Sequence, residues 1–338
     1  MRILVEGPWW SGKWTDITVA TLQQLGHEVD YLYHNRKTLA DRARLVGNRL
    51  AALAGADAGS WPDMARAHLL ARAQAFRPEL LLSIQGKLDR RTAHNLKRLL
   101  PDLKIIFWWG DILTDRARQQ IDRAAQCTDR ILISYRGSYE RLQPLYGDRL
   151  QYFPFGTSAR FHTATALSAH DQRRFAVDVI FVGSCYPERC ELVRYLNARL
   201  DQPVKVWGRG WRKCSGVRSH GALSLDDCIK AYATAGITLN LHHHETDNGF
   251  NMKFYEIPAA GGLQLCDWQP ALQDSELGKL TSGCRTPEEF LEHIRHLLAH
   301  PQEGRQLAAQ ATTAARTLET YESRFKNLLD TLYGAKKH

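Results

Sequence analysis

The sequence of 338 residues has no Asp-x-Asp, no Cys-x-x-Cys, no internal repeat and no apolar run long enough to span a bilayer. Without Asp-x-Asp the chain lacks a familiar way of holding a divalent ion between two carboxylates. Seven cysteines, an odd number with no close pair, argue against a disulfide framework and for reduced thiols in a cytosolic protein. The chain opens directly in a strand-like run, Arg2 to Glu6, so no signal peptide is expected and a cytoplasmic location is.

Apolar residues make up 44% of the chain, enough for two domains with a core in each. The charge is uneven. Residues 1–165 hold 24 Lys and Arg against 16 Asp and Glu, whereas residues 166–338 hold 21 against 20, so the first half carries nearly all of the +9. A basic half of this kind suits an anionic ligand or surface, or serves solubility.

Strand-like and helix-like periods alternate throughout. Residues 2–6, 27–33, 79–84, 103–108 and 130–134 read as strands, separated by helical patterns at 16–25, 36–54, 62–76, 89–100, 112–126 and 135–146. Such alternation predicts an α/β protein with a parallel, doubly wound sheet, whose ligand crevice lies at the carboxyl ends of the strands. Those ends carry Glu6, Gln85 and Asp111, the candidates for chemistry in this half; Asp111 can equally cap the helix that follows it.

Residues 157–174 have no clear period and read as a linker, after which the alternation resumes. The expected organisation is a domain at 1–156, a linker at 157–174, a second domain at 175–319 and a terminal helix at 320–338 that can cross back to the first domain.

Two features of the first half invite other readings. Gly7-Pro-Trp-Trp-Ser-Gly-Lys13 approaches the phosphate-binding pattern G-x-x-x-x-G-K-[ST], but Trp14 stands where a metal-binding hydroxyl belongs. The segment 36–54 is a basic amphipathic helix, with Leu39, Val46, Leu50 and Leu53 on one face and Arg36, Lys37, Arg42, Arg44 and Arg49 elsewhere. It can pack as an ordinary helix or rest on a membrane.

The second half is organised around NGFNMKFYEIPAAGGLQLCD, from Asn248 to Asp267. A polar loop ending near Asn251 leads into a helix with Phe254, Ile257 and Ala260 at helical spacing, then a glycine stop and a short strand. Lys253 and Glu256, three apart, are expected on one face. A helix N-terminus bearing a lysine in its first turn suits a phosphate, and a carboxylate one turn on can accept from hydroxyls. Gly183 and Ser184 end a buried strand and offer room and amides to a phosphate, with Arg189 on the next helix. Trp207 and Gly208, and then Asn240 and His242, end two further strands. The run His242 to Glu245 raises a zinc site, against which stands the alternation of neighbouring side chains on an extended strand.

The motif series VDVIFVGS at 177–184, Pro187 to Arg189, WGRGW at 207–211, LNLH at 239–242 and FNMKFYEIPAAGG at 250–262 resembles the C-terminal half of the CgeB-like glycosyltransferases. These belong to the GT-B superfamily and are similar to its retaining group-1 enzymes. The resemblance implies two Rossmann-like domains facing across a cleft, a nucleotide-sugar donor on the second domain and an acceptor on the first. It implies donor contacts from Gly183, Ser184, Arg189, Trp207, Gly208, Asn240, His242, Asn251, Lys253 and Glu256, with the base near Trp207 and Trp211 as a stacking surface. No cofactor and no metal is expected, since the cations and helix dipoles would hold the diphosphate. Trp9, Trp10 and Trp14 would then stack on sugar rings or belong to the core, with Gln85 beside them on the acceptor side. Asp111, or else Glu6, would act as base in an inverting reaction; a retaining one needs none. An anionic or membrane-associated acceptor, such as a lipid-linked or surface saccharide, fits the basic first half and a place on the inner face of the membrane. Modification of a nucleic acid, or a non-catalytic sugar-nucleotide-binding subunit, is the alternative.

Overall fold

The computed structural model describes residues 1–9, 14–53, 60–162 and 166–334. They divide into two compact units: Met1–Ser134, Ser138–Phe153 and the segment from Phe325 form one, and Tyr135–Gly137 with Pro154–Arg324 form the other.

The first unit runs β1 (Arg2–Gly7), α1 (Trp14–Gln24), β2 (Glu28–Tyr33), α2 (Leu39–Leu53), α3 (Trp61–Phe76), β3 (Leu80–Ile84), α4 (Arg90–Leu99), β4 (Lys104–Trp109), α5 (Asp115–Ala125), β5 (Arg130–Ile133), α6 (Arg136–Tyr146) and β6 (Leu150–Tyr152). Its six strands lie in the order β2-β1-β3-β4-β5-β6, every pair parallel. All five residues of β3 are buried, as are Ile105 to Trp108 of β4, because a parallel sheet is covered on both faces and selects continuous apolar runs. β6 pairs with β5 where the sequence suggested only an exit from the domain; three residues carry too little pattern to declare a strand.

The second unit runs α7 (Ala169–Phe175), β7 (Val179–Val182), α8 (Pro187–Asn197), β8 (Lys205–Trp207), α9 (Leu225–Thr234), β9 (Ile237–Asn240), α10 (Met252–Ala259), β10 (Gln264–Asp267), α11 (Glu276–Lys279), β11 (Ser282–Cys284), α12 (Pro287–Ala299) and α13 (Pro301–Thr317). Its five parallel strands are ordered β11-β10-β9-β7-β8. The unpatterned segment after residue 157 contains α7, held by a capping box in which Ser168 and Asp171 bond each other's main-chain amides, and by Lys230, whose Nζ lies 2.9 Å from Asp171. The last helix, α14 (Tyr321–Tyr333), begins in the second unit. From Phe325 it belongs to the first, where Phe325 packs against Trp108 and Phe153 and the Tyr333 hydroxyl donates to the Glu79 carbonyl.

Two expectations are corrected at this level. Cys190 of α8 and Cys214 form a disulfide, so the cysteines are not all reduced thiols; the pair is 24 residues apart, and only the packing of α8 against the turn after β8 brings it together. On α2, Leu39 is 83% and Val46 57% exposed, so these members of its apolar stripe do not pack into the unit; the side chains of Arg49, Leu50 and Leu53 lie outside the described residues.

Candidate functional site

At the carboxyl edge of the first sheet, Glu6 is the buried carboxylate. It is 5% exposed, and Oε2 accepts from the Ser83 hydroxyl at 2.6 Å. The turn Gln85-Gly86 closes over it: a Cβ at Gly86 would lie 2.3 Å from Glu6 Oε2 and 2.0 Å from Ser83 Oγ, so only glycine lets the main chain pass so near. Gln85 takes a left-handed conformation with φ 51°, and its carbonyl and that of Gly86 accept from the Gln120 amide. Gln85 therefore shapes the turn with its main chain.

Burial pushes the Glu6 carboxyl up to about 7, against the opposing Ser83 hydrogen bond. His34 approaches to 4.0 Å, yet burial and the nearby Lys87 push its imidazole down to about 4, so at neutral pH it is uncharged and the contact is not an ion pair. Both groups line a cavity of about 500 Å³ whose walls also carry Lys37, Arg66, Lys87 and Arg116 and the apolar Leu69 and Leu88. The cavity can accept a hydroxyl near a carboxylate poised to take its proton, with cations for a neighbouring negative charge.

Asp111, the other candidate base, is exposed, and its Oδ1 accepts from the amide of Ile112. It does not cap the next helix either: α5 starts at Asp115, and the Thr114 hydroxyl is its cap. Of the tryptophans, Trp14 is buried edge-on against Trp108, ring centres 4.9 Å apart, and belongs to the core. That leaves the phosphate-loop reading without its hydroxyl, and the loop's Gly12 and Lys13 lie outside the described residues, as does Trp10. Trp9 is 49% exposed, with Arg36 at 5.5 Å from its ring, and lines a separate hollow along β2 and α2.

The carboxyl edge of the second sheet is built differently. Asn251 caps α10, its Oδ1 accepting from the Phe254 amide, while its Nδ2 donates to Asn240 Oδ1 at 3.0 Å. Asn240 in turn donates to Gln264, and Gln264 to the Phe254 carbonyl. This chain of neutral amides spans β9, α10 and β10 and fixes the helix N-terminus at the ends of the strands. Lys253 extends from the first turn to the end of β7, with Nζ 3.2 Å from the Val182 carbonyl and beside Gly183.

Gly208, with φ +140°, lets the loops after β7 and β8 meet, since a Cβ there would lie 1.9 Å from the Gly183 carbonyl. That carbonyl accepts from Trp211 Nε1 at 2.8 Å. The expected stacking surface at Trp211, and the open Trp207 side chain beside the expected base, are thereby corrected. Trp211 is buried on Phe181, and Trp207 is buried between Phe175 and His220, because each indole fills the layer beneath its loop.

Arg189 is corrected too. It is buried, and its guanidinium donates to the carbonyls of Ser184 and Leu241, tying α8 to the ends of β7 and β9 rather than standing open to a ligand. Burial lowers its pKa. Ser184 itself is exposed at the tip of the loop. Glu256 is 2% exposed and lies within electrostatic range of Tyr232 and Tyr321, so it does not present an open face together with Lys253.

One residue that sequence reasoning missed completes the edge. Asp267, last in β10, accepts from both the amide and Nδ1 of His242 at 2.7 Å. Burial alone would raise its pKa, but the His242 ring and these bonds hold it below the usual carboxylate range. The buried Nε2 of His242 has no hydrogen-bond partner among the described residues. The neighbouring rings point elsewhere, with His244 Nδ1 3.5 Å from Glu188. Asp267 could have been found as an acidic residue at a strand's carboxyl end, the signal that gave Glu6 and Asp111.

The comparisons with known proteins agree with this architecture. Residues 189–330 match the family described as Glycosyl transferase-like. No curated protein matches the chain in sequence. Among solved structures, Anabaena Alr3699/HepE in complex with UDP-glucose superposes with a TM-score of 0.65 at 12% identity, over 98% of this chain and 99% of that one. A sucrose-phosphate synthase from Thermosynechococcus elongatus gives 0.66 at 11% identity, over 99% and 100%. A DNA-modifying β-glucosyltransferase gives 0.55 at 11% identity, over 98% and 99%. The chain therefore has the GT-B fold of these structures, and its residues 189–330 are similar to the glycosyl transferase-like family.

Proposed function

We propose that the protein transfers a sugar from a nucleotide-activated donor, held on the second unit, to a hydroxyl of an anionic acceptor taken up by the first. One observation carries the donor half: Lys253 reaches from the capped N-terminus of α10 to the Gly183 turn, so a full charge, helix amides and a glycine loop meet at one place. A diphosphate there would gain charge-assisted hydrogen bonds that strengthen as it leaves. His242, held by Asp267, keeps a buried Nε2 without a partner among the described residues, a polar atom that a bound donor could satisfy. The complex of HepE with UDP-glucose supports a uridine nucleotide as the first to try.

On the acceptor side Glu6 takes the place of Asp111 as general base. Its carboxyl near neutrality can hold the hydroxyl proton while the oxygen attacks the anomeric carbon and the diphosphate departs with the bonding pair. The cations around its cavity favour an acceptor with a phosphate or carboxylate beside the hydroxyl. Contact with an anionic membrane through α2 is part of the same reading, since exposed Leu39 and Val46 stand among Arg42 and Arg44. The CgeB-like kinship rests on the motif series from 177 to 262.

The test is calorimetric titration of the full chain with nucleoside diphosphates, first without added metal. One family should bind, and Lys253→Ala should weaken it at least about tenfold, the value of one charge-assisted bond. Equal affinity in the variant would remove the donor assignment.

A further inference from the structure

Beside the Gly183 loop, three sulfurs converge from three places in the chain. Cys185 follows β7, Cys190 lies in the first turns of α8 and Cys214 follows the turn that Trp211 anchors; their Sγ atoms lie within 4.8 Å of one another. Cys190 and Cys214 are joined, while Cys185 is a free and partly exposed thiol. The backbone holds Cys185 in place: its amide donates to the Arg209 carbonyl at 2.8 Å, and Gly210 leaves room beside its Cβ. The third sulfur, outside the bridge, lies 3.8 Å from the Tyr186 carbonyl and at the edge of the hydrophobic core, close to the other two.

We infer that, once the Cys190–Cys214 bridge is reduced, Cys185, Cys190 and Cys214 form a three-thiolate site for a divalent cation of the zinc class. Three soft sulfur ligands select such ions, and the partial exposure of Cys185 leaves a fourth position for water. The chemistry balances with a dithiol as reductant. It passes two electrons and two protons to the sulfurs of Cys190 and Cys214 and is left as its own disulfide; the cation then displaces one proton from each of the three thiols. A bound ion would add a second tie between the loop of Gly183 and Ser184 and α8, beside the Arg189 bond to the Ser184 carbonyl.

The experiment uses the full chain, reduced with a phosphine and titrated with Cd²⁺ while the thiolate-to-metal absorption is followed. The reduced protein should take up one equivalent. Cys185→Ser should lower the absorption by about one third, one thiolate of three, and weaken binding at least about tenfold. Cys127→Ser, at the other partly exposed free thiol, should change neither, and unreduced protein should show no such band. Cys185 takes no part in the bridge, so a thermal melt of Cys185→Ser like that of the wild type shows that the loss is one of ligation. No band in the reduced protein, an unaltered titration in Cys185→Ser, or loss of the band in Cys127→Ser would each overturn the assignment. None of these readouts depends on nucleotide binding.

Discussion

The carboxyl edges of the two sheets solve opposite problems. In the first unit Glu6 is buried beneath the Gln85-Gly86 turn, bonded to the Ser83 hydroxyl and lining a cavity with His34 and four cations, and burial raises its carboxyl to about 7. In the second, three amides pass hydrogen bonds from one to the next, Lys253 and the His242–Asp267 pair lie at the strand and helix ends, and Arg189 and Glu256 are ionisable side chains buried in the scaffold. Under the proposed function, the first edge keeps one carboxylate poorly solvated where a proton would be exchanged, and the second sets a ladder of amides beneath the cation that would meet a polyanion.

The sharpest way to break this comparison is to neutralise the carboxylate of the first edge. Glu6→Gln should lower kcat by about 10²- to 10⁴-fold while leaving nucleotide affinity unchanged, read from steady-state rates beside a donor titration. A fall in donor affinity instead would mean that Glu6 supports the fold.

The same group has a thermodynamic signature. Its carboxyl titrates near 4.5 when unfolded and near 7 when folded, so between those values the folded state binds more protons and stability falls as pH rises. The contribution is fully present below about 4.5 and gone above about 7, and amounts to at most about 3 kcal/mol. Urea melts across that window should show the decline in the wild type and a flatter profile in Glu6→Gln.

The second edge is probed by Asn240→Ala, which strands the Asn251 amide and the Gln264 carbonyl oxygen in a buried setting. It should cost about 1–3 kcal/mol in chemical denaturation, with no dependence on pH between 5 and 8. Smallest of all, Asp111→Ala should change stability by no more than about 0.5 kcal/mol and kcat by no more than about twofold, because its side chain bonds only the next amide on an exposed loop.

Much of this was legible in the sequence. Alternating periods gave both parallel sheets, and the ends of apolar runs placed Glu6, Gln85, Asn240 and His242 at or just past strand ends, since where an apolar run stops is a local property. The helix start after Asn251 and the glycine stop, where Gly261 has φ +93°, were equally local, while the cap itself came from the structure. What escaped depends on contacts between distant segments. Whether Trp207 and Trp211 face a ligand or a core is decided by Phe175, His220 and Phe181, and the two carbonyls that occupy Arg189 lie 5 and 52 residues away from it. That Asp111 is exposed while Glu6 is buried is likewise something periodicity does not report. The disulfide, too, joins residues whose spacing says nothing until α8 and the turn after β8 are packed.

The return of α14 to the first unit also bears on synthesis. A ribosome that has released residues 1–153 has made every strand of the six-stranded sheet, yet Trp108 and Phe153 still lack the Phe325 ring that packs against both. The first core to be translated is thus among the last to be finished, and until then its uncovered aromatics are a surface for which chaperones and neighbouring nascent chains compete.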